Sequence, residues 1–261
     1  MVLRSVTVAL QVFEVVAMQQ PIGVSEISRR LGMSKSTVQR CLVTLGEAGW
    51  IRPEVTAGPT RWVITSKSFG IGRRVGNSRH LRTAALPVLE RLRDATGAPV
   101  ELIVPEGREG VLIERVATAA TEWLFLPPGL RAPLHVRADG KVILARLPEE
   151  DLEAYLGEGL EMLTRQTVTD PMRLRRELAS IRARGWAASI DELVDGVSTL
   201  ASAVVDLEGR PLAAVSLHLP SEPFQVHQAR NRKLVVAAGI EIGARLDGRE
   251  VGGRAGLEKR R

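Results

Sequence analysis

The chain has 261 residues, of which 44% are hydrophobic and 25% are charged, a composition typical of a soluble globular protein with about two domains. Its net charge of +6 comes from the N-terminal third, because residues 1–82 contain 12 basic and 4 acidic side chains and the remainder contains 24 and 26; this asymmetry favours contact between one domain and a phosphate backbone. The sequence has no apolar run of about 18 residues, no secretory signal pattern and one cysteine, which excludes a membrane-spanning, secreted or internally disulfide-bonded protein and predicts a cytoplasmic location.

The first predicted element is an amphipathic helix close to the N-terminus. Its apolar residues recur at the spacing of one helix face, so this face can cover the elements that follow. The predicted face consists of Val6, Ala9, Leu10, Phe13, Val16 and Ala17.

Residues 24–49 predict two short helices joined by a tight turn, which is the pattern of a helix-turn-helix. Val24, Ile27 and Leu31 form one apolar face of the first helix. Gly32 suits the left-handed residue that ends a helix, and Ser34 suits the N-cap of the next one. In this second helix four side chains share the inward face: Val38, Cys41, Leu42 and Leu45.

The outward face of the second helix carries small polar and basic side chains that suit the edges of base pairs. Arginine pairs with guanine and glutamine with adenine, and the free N–H groups of a first helical turn can bind a phosphate. The same pattern also fits an ordinary helical core, but its coincidence with the basic third of the chain favours DNA binding. The predicted DNA contacts in this helix are Lys35, Ser36, Thr37, Gln39, Arg40 and Thr44.

Two short strands, residues 50–52 and 61–64, are predicted after the helix-turn-helix, with a glycine and a proline in the loop between them. Three helices followed by a β-hairpin make a winged helix-turn-helix. Trp50 and Trp62 are expected to pack under the hairpin, and Arg61 is predicted to lie near a phosphate or the minor groove. The alternative for Arg61 is a solvated side chain on a stabilising hairpin.

The C-terminal two thirds predict an α+β domain with an antiparallel sheet. A linker over residues 66–80, expected to be helical, leads into a helix that Asn77 or Ser78 caps. Asp170-Pro171 predicts the start of another helix, and Gly185 its end. The other predictions are hairpins over 101–104 with 111–113 and over 203–205 with 212–215, a strand over 186–190, a final helix over 227–246 and a disordered tail over 247–261.

As a whole, the chain resembles the IclR-type transcriptional regulators. The resemblance covers roughly residues 3–246 and rests on several stretches that follow one another in the family's order. The first two are SVTVALQVFEVV and VSEISRRLGMSKSTVQRCLVTLGEAGWI, in which Ser36-Thr37 and Arg40 match the family's S-T-x-x-R. The others are PLHVRADGKVILARLPEE, TVTDPMRLRRELASIRARGW and DGVSTLASAVVDLEGRPLAAVSL.

The resemblance implies an N-terminal winged helix-turn-helix in residues 1–65 and an effector-binding and oligomerisation domain, similar to the GAF and PAS folds, in residues 81–246. It implies a regulator, more often a repressor, that binds pseudo-palindromic operators in double-stranded DNA as a homodimer or homotetramer. A small organic effector, with a carboxylate or an aromatic metabolite as the expected class, would modulate DNA binding.

The effector pocket is carried over from the resemblance by position, over the sheet. This sequence departs from the family where Ser189 and Ile190 replace acidic residues, Asp139 replaces alanine and His218 replaces serine. Plain packing is the alternative for every pocket residue, and for Thr199 and Ser216 packing and ligand contact are given equal weight. The implied pocket residues are Ala138, Asp139 and Gly140 in a turn before a helix, Ser189 and Ile190 after a strand, and Thr199, Ser216 and His218.

Enzyme motifs are absent from the sequence, which has no G-x-S-x-G elbow, no H-E-x-x-H and no P-loop. The four histidines show no metal-ligand spacing, so no catalytic residue, metal or cofactor is predicted. Two alternatives stay open: a winged-helix protein whose second domain only oligomerises, and, more remotely, an enzyme with an accessory DNA-binding domain.

Overall fold

The computed structural model describes residues 2–54, 58–72, 78–121, 127–222 and 228–248. The chain divides into two compact units, Met1–Arg79 and His80–Arg261, which are called unit 1 and unit 2 below. Both units mix helices with antiparallel strands, as the sequence predicts. None of the helices in the described ranges combines the length and hydropathy that crossing a bilayer requires.

Unit 1 is a winged helix-turn-helix. Its three strands pair antiparallel in the order β1-β3-β2, so the wing hairpin is extended by a two-residue strand that the sequence did not reveal. Buried side chains of the first three helices and of the sheet form one core. The elements are α1 (Arg4–Gln19), β1 (Ile22–Gly23), α2 (Val24–Leu31), α3 (Lys35–Glu47), β2 (Ile51–Glu54), β3 (Arg61–Ile64) and α4 (Ser66–Gly72).

The turn between α2 and α3 follows the local signals in the sequence. Gly32 has a φ of 63° and ends α2, in the left-handed region that favours glycine. The hydroxyl of Ser34 accepts a hydrogen bond from the backbone N–H of Thr37 and caps α3. Trp62 is buried below the wing, as predicted, and Trp50 packs against the same core.

The predicted apolar face of α1 is only partly correct. Val12 and Val16 are the fully buried residues of this helix, whereas Val6 and Leu10 are 51% and 53% exposed. The N-terminal half of α1 borders a groove of about 570 Å³ instead of the core, which is why its apolar side chains remain exposed.

Unit 2 is built on a six-stranded antiparallel sheet in the order β6-β5-β4-β9-β8-β7. Both predicted hairpins are present as β4–β5 and β8–β9, and β4 pairs with β9 to join them. The elements are α5 (Ser78–Thr96), β4 (Val100–Glu106), β5 (Glu109–Val116), β6 (Arg131–Pro133), α6 (Ala138–Leu144), α7 (Glu149–Gly157), α8 (Pro171–Arg184), β7 (Ala187–Ile190), β8 (Val197–Val205), β9 (Pro211–Pro220) and α9 (Gln228–Leu246).

The sheet of unit 2 has a separate apolar core on each face. Alternation along a strand places Val100 and Leu102 on the face covered by α5 and α9. It places Glu101 and Ile103 on the opposite face, where side chains of α6, α7 and α8 complete the second core. The polar residues described below lie on this second face.

Two elements of unit 2 were not predicted: α7 is short, and β6 is a three-residue edge strand. The helix that the resemblance implied after the turn at Gly140 is present as α6, which is fully buried and begins at Ala138. The helix begun by Asp170 was predicted correctly, and its carboxylate accepts hydrogen bonds from the N–H groups of Met172 and Arg173. The predicted cap Asn77, the start of the last helix at His227, and most of the tail over 247–261 lie outside the described residues.

Candidate functional site

The outward face of helix α3 carries three long polar side chains that form no hydrogen bonds or ion pairs within the described part of the chain. Lys35, Gln39 and Arg40 are exposed, and none of them makes a side-chain hydrogen bond or ion pair with any part of the chain that the structure describes. The opposite face is fixed in the core by Val38 and Leu42, which are 0% exposed. The helix is therefore held rigidly while its polar face is available to a partner.

The hydroxyl groups on α3 are engaged in local hydrogen bonds. Those of Ser36 and Thr37 each lie 2.9 Å from the Ser34 hydroxyl. The Thr44 hydroxyl donates to the backbone carbonyl of Arg40 at 2.9 Å. The methyl groups of the two threonines thus remain the parts that can contact a thymine methyl without breaking a bond.

Arg61 has partners within unit 1 that were not expected from the sequence. The pairing of β1 with β3 places Arg61 opposite Gly23, next to the first turn of α2. Its guanidinium donates to the Pro21 carbonyl at 2.8 Å and to the Glu26 carboxylate at 3.2 Å. These partners were not expected because β1 was not recognised, and a contact of Arg61 with a phosphate or the minor groove stays a prediction.

Arg4 is a basic residue near the predicted DNA contacts that the sequence reasoning missed. It lines the groove between α1 and α3 together with Thr37, Arg40 and Thr44. The missed signal is its position at the start of α1, a helix that was interpreted only as a cover for the next two.

The C-terminal end of α3 is tied to α4. The Lys67 ammonium donates to the carbonyl of Ala48 at 2.7 Å and lies 4.8 Å from the ring centroid of Trp50. The Thr65 hydroxyl donates to the carbonyl of Gly49 at 2.6 Å. A cation at a helix C-terminus is favourable, so these contacts fix the start of the linker against the recognition helix.

In unit 2, the predicted effector residues come together on the second face of the sheet. Strand pairing aligns Ser189, Thr199 and His218 in one row across β7, β8 and β9. The hydroxyl of Ser189 accepts a hydrogen bond from the N–H of Ala138 at 3.1 Å, which joins this row to the start of α6. Ala138, Asp139 and Gly140 form the first turn of α6 rather than a turn before it.

A buried charge network lies at the centre of this group. One terminal nitrogen of Arg137, Nη2, is 2.6 Å from Glu101 Oε2, 2.5 Å from Asp139 Oδ2 and 3.3 Å from His218 Nε2. The Ser216 hydroxyl donates to Asp139 Oδ2 at 2.9 Å, and His218 Nε2 lies 2.9 Å from Glu101 Oε2. All five side chains are at least 95% buried.

Electrostatics keep this network charged. Burial alone raises the pKa of Glu101, but the charges of His218 and Arg137, and their hydrogen bonds, outweigh burial and lower that pKa to about 2. Burial likewise lowers the pKa of Arg137, but Asp139 and Glu101 outweigh it and raise that pKa. Both groups are therefore ionised at neutral pH.

Two of the predicted pocket residues differ from the others in their surroundings. Ile190 is 44% exposed, because alternation along β7 turns it away from the face that Ser189 shares. Gly140 is closely packed, since a Cβ on it would lie 2.0 Å from the Leu134 carbonyl oxygen. The small cavity that Gly140 lines with Arg137 and Asp139 has no room for a water molecule.

Glu101 and Arg137 are the central residues that the sequence reasoning missed. A usable signal was present, because Glu101 interrupts the apolar run of β4 and Arg137 directly precedes the predicted turn at Ala138. Arg115 lies 3.7 Å from the other oxygen of Glu101 and extends the network onto β5. Charged residues inside an apolar pattern are almost never fully buried unless they are paired.

The same network assembles three potential metal ligands that are dispersed in the sequence. Ligand atoms of Glu101, Asp139 and His218 all lie within 4.8 Å of one another. The Arg137 guanidinium contacts each of the three, so the positive charge at the centre comes from the chain itself. The guanidinium thus supplies the positive charge that a bound cation would bring to Glu101 Oε2 and Asp139 Oδ2.

A second buried ion cluster anchors α6. The ammonium of Lys141, which is 0% exposed, donates to Glu177 on α8 at 2.9 Å and to Glu192 after β7 at 2.6 Å. Burial raises the pKa of Glu192 even though the charge of Lys141 acts to lower it. Lys141 therefore holds α6, and with it Asp139, in place from two directions.

Lys141→Met should lower the free energy of unfolding by about 2–3 kcal/mol at neutral pH, because Glu192 would lose the charge that compensates its burial while Glu177 is partly solvated. The pKa of Glu192 would rise further, so the loss should shrink as pH falls and this carboxylate becomes protonated. Urea unfolding at several pH values measures the loss in unfolding free energy and its pH dependence. Lys233→Met, which removes an exposed charge from α9, is the control. A pH-independent loss equal to that of the control would contradict the assignment.

Comparison with known proteins agrees with both halves of the fold. The model of the bacterial transcriptional regulator IclR C-terminal domain matches residues 74–243, and that of the IclR helix-turn-helix domain matches residues 5–54. The chain belongs to the IclR family. It is 33% identical over 220 residues to the HTH-type transcriptional regulator BhcR of Paracoccus denitrificans, an alignment that covers 84% of this chain and 78% of that protein.

Other IclR-family proteins share the architecture. The transcriptional repressor IclR of Escherichia coli is 29% identical over 221 residues, with 83% of this chain and 80% of that protein covered. The crystal structure of an IclR homolog from Microbacterium hydrocarbonoxydans, complexed with 4-hydroxybenzoate, matches with a TM-score of 0.79 over 94% of this chain and 99% of that one. At 24% sequence identity, this structural match shows a common fold and nothing further. The protein is a DNA-binding transcriptional regulator with the IclR C-terminal domain, and its curated relatives are regulators rather than enzymes.

Proposed function

We propose that the protein is a cytoplasmic repressor that binds a pseudo-palindromic operator as a homodimer or a pair of dimers. Residues 1–65 are the DNA-binding domain, 66–80 the linker, and 81–246 the effector-binding and oligomerisation domain. One recognition helix reaches only a few base pairs, so specific binding requires two copies on two half-sites. A small organic carboxylate or aromatic molecule in unit 2 changes the affinity for DNA.

The DNA-binding part of this proposal rests on the outward face of α3, whose long polar side chains are available to a partner. Lys35, Gln39 and Arg40 are exposed on a helix whose other face is locked in the core. A rigid helix with free side chains loses little conformational freedom when it enters the major groove. Arg40 has the length and donor geometry for guanine, while Lys35 in the first turn suits a phosphate.

Operator titrations test these roles. Arg40→Ala should cost about 1–3 kcal/mol of binding free energy and relax base preference at one position in each half-site. Lys35→Ala should weaken binding to all sequences alike and reduce the salt slope by about one unit. Arg61→Ala should leave the footprint unchanged, because its guanidinium already binds Pro21 and Glu26.

Arg173→Ala is the matched control, because it removes one exposed positive charge from α8 in unit 2. Wild-type affinity for both α3 variants at matched salt would overturn the assignment of the recognition helix. If Arg40→Ala loses no more affinity than Arg173→Ala, the assignment of Arg40 to base readout would be overturned.

Effector binding is supported by the polar groups that converge on the sheet of unit 2. A site over an antiparallel sheet, with a guanidinium, a hydroxyl and an imidazole inside an apolar core, has the few orienting groups that ligand pockets use. The fold accommodates a small aromatic carboxylate in the Microbacterium homolog, which is complexed with 4-hydroxybenzoate. A ligand alters DNA binding only through different affinities for two arrangements of the chain. The contact of Lys67 with the Ala48 carbonyl, at the end of α3, supports a role for the linker in transmitting such a change.

The small size of the cavity beside Asp139 favours one alternative, in which unit 2 oligomerises without sensing a ligand. The cavity beside Asp139 and Gly140 has no room for a water molecule, which is compatible with a purely structural network. A screen of small carboxylates by thermal unfolding separates the two functions, since a ligand that binds only the folded protein raises its melting temperature.

A further inference from the structure

The side chain of Asp139 is held in the way that proteins hold a bound carboxylate. Its Oδ2 accepts from the Arg137 guanidinium at 2.5 Å and from the Ser216 hydroxyl at 2.9 Å. Its Oδ1 accepts from the N–H of Gly140 at 2.8 Å. The donors come from the segment before α6, from β9 and from α6 itself, and the carboxylate is 1% exposed.

The network around Asp139 is incompletely satisfied. Arg137 makes its contacts with Glu101, Asp139 and His218 through one nitrogen, and its buried Nε has no hydrogen-bond acceptor. Buried polar groups in native proteins are nearly always hydrogen-bonded, and a guanidinium binds a carboxylate best through two parallel N–H groups. The present arrangement therefore leaves a guanidinium donor that a better-placed carboxylate would use.

We propose that Asp139 is an internal substitute for the carboxylate of the effector, and that a small carboxylate binds by displacing the Asp139 side chain from Arg137 and Ser216. This inference rests on the proposed function, because it specifies the ligand class and the closing group of the same site. The cavity that Arg137, Asp139 and Gly140 line has no room for a water molecule, so a ligand that reaches Arg137 from this cavity must displace a side chain.

Charge balance selects a carboxylate as the displacing ligand. Arg137 is compensated by Glu101 and Asp139, with Arg115 near the far oxygen of Glu101. Exchange of one carboxylate for another leaves the charge of the buried site unchanged, whereas a neutral ligand in the place of Asp139 would leave Arg137 with one carboxylate fewer. An uncompensated buried charge is costly, so a neutral molecule of the same shape binds worse.

Chemical rescue of Asp139→Ala by formate tests the proposal. The substitution removes a group of the size and charge of formate beside Arg137 and Ser216. In the full-length variant, formate should raise the melting temperature by roughly 3–5 °C for each tenfold increase above its dissociation constant. Formamide, the neutral isostere, should give no such rise, and chloride is used to hold the ionic strength constant.

Two further variants sharpen the result. Asp170→Ala removes the N-cap carboxylate of α8, which accepts from Met172 and Arg173, so it destabilises unit 2 without opening a site at Arg137. Formate should not rescue this variant. Adding Ser216→Ala to Asp139→Ala should weaken the apparent affinity for formate about tenfold, because one of the three donors to the carboxylate is lost.

The outcomes separate this inference from the proposed function. Should Asp139→Ala be unfolded in buffer, formate and not formamide should restore its circular dichroism. Equal effects of formate on Asp139→Ala, Asp170→Ala and the wild type would overturn the inference. That result would leave operator binding by α3, which is measured independently with DNA, unaffected.

Discussion

Gly140→Ala is expected to lower the free energy of unfolding of unit 2 by more than about 4 kcal/mol, the largest effect of any substitution considered. A Cβ at this position would lie 2.0 Å from the carbonyl oxygen of Leu134 and 2.5 Å from its Cα. These are backbone atoms between β6 and α6, so no side-chain rotation relieves the overlap. Relief requires α6 to move away from the sheet, which would disrupt the contacts of Arg137 and Asp139.

Gly157→Ala provides the matched control for Gly140→Ala. Gly157 ends α7 in the same unit, and an added Cβ there would meet no atom within 4 Å. This variant should be as stable as the wild type or slightly more stable, since alanine reduces the entropy of the unfolded chain. Denaturant unfolding followed by circular dichroism measures both. Equal stability of the two variants would show that α6 does not pack against Leu134 as described.

Arg137→Met is expected to cost about 3–5 kcal/mol at neutral pH. The change removes the guanidinium that contacts Glu101, Asp139 and His218, and it leaves two buried carboxylates with ligand atoms within 4.8 Å of each other. Methionine preserves much of the volume, so the loss reports uncompensated charge more than a cavity. Arg173→Met, at an exposed position of α8, should change stability by less than about 0.5 kcal/mol.

The same variant should change the response to acid. The pKa of Glu101 is about 2 in the folded protein and 4.5 when unperturbed, so its ionised form stabilises the fold above pH 4.5, and this contribution is lost as pH falls from 4.5 towards 2. Without Arg137 the folded pKa rises, and less stability remains to be lost. The difference between wild type and Arg137→Met should therefore narrow as pH falls below 4.5. A gap that stays constant down to pH 3 would contradict the charge assignment.

The parts of the fold that local signals specify were predictable from the sequence. Gly32 and Ser34 define the turn of the helix-turn-helix, and Asp170-Pro171 with Gly185 defines α8. The two hairpins follow from apolar runs separated by turn residues. In each case the residues that determine a turn, a cap or a hairpin lie within a few positions of one another, so they can be recognised in the sequence.

The parts that depend on distant pairing were not predictable. Glu101 and Ser216 become neighbours only because β4 pairs with β9, and β1 captures Arg61 although it is two residues long. All seven residues of α6 are buried, so this helix lacks the polar face that periodicity would detect. The resemblance to the IclR family predicted Asp139, Ser216 and His218 as pocket residues, but it did not reveal that Arg137 contacts Asp139 and His218.

The most direct test of the account is to select genomic DNA fragments with the purified full-length protein and to measure affinities for the recovered and random fragments at the same salt concentration. The account predicts recovered fragments with two half-sites about one helical turn apart, or a multiple of it, bound at least about 1,000-fold more tightly than random DNA. In the same assay Arg40→Ala should lose most of this ratio, whereas Arg173→Ala should keep it. Equal affinity for all fragments, governed by salt alone, would contradict sequence-specific regulation by α3.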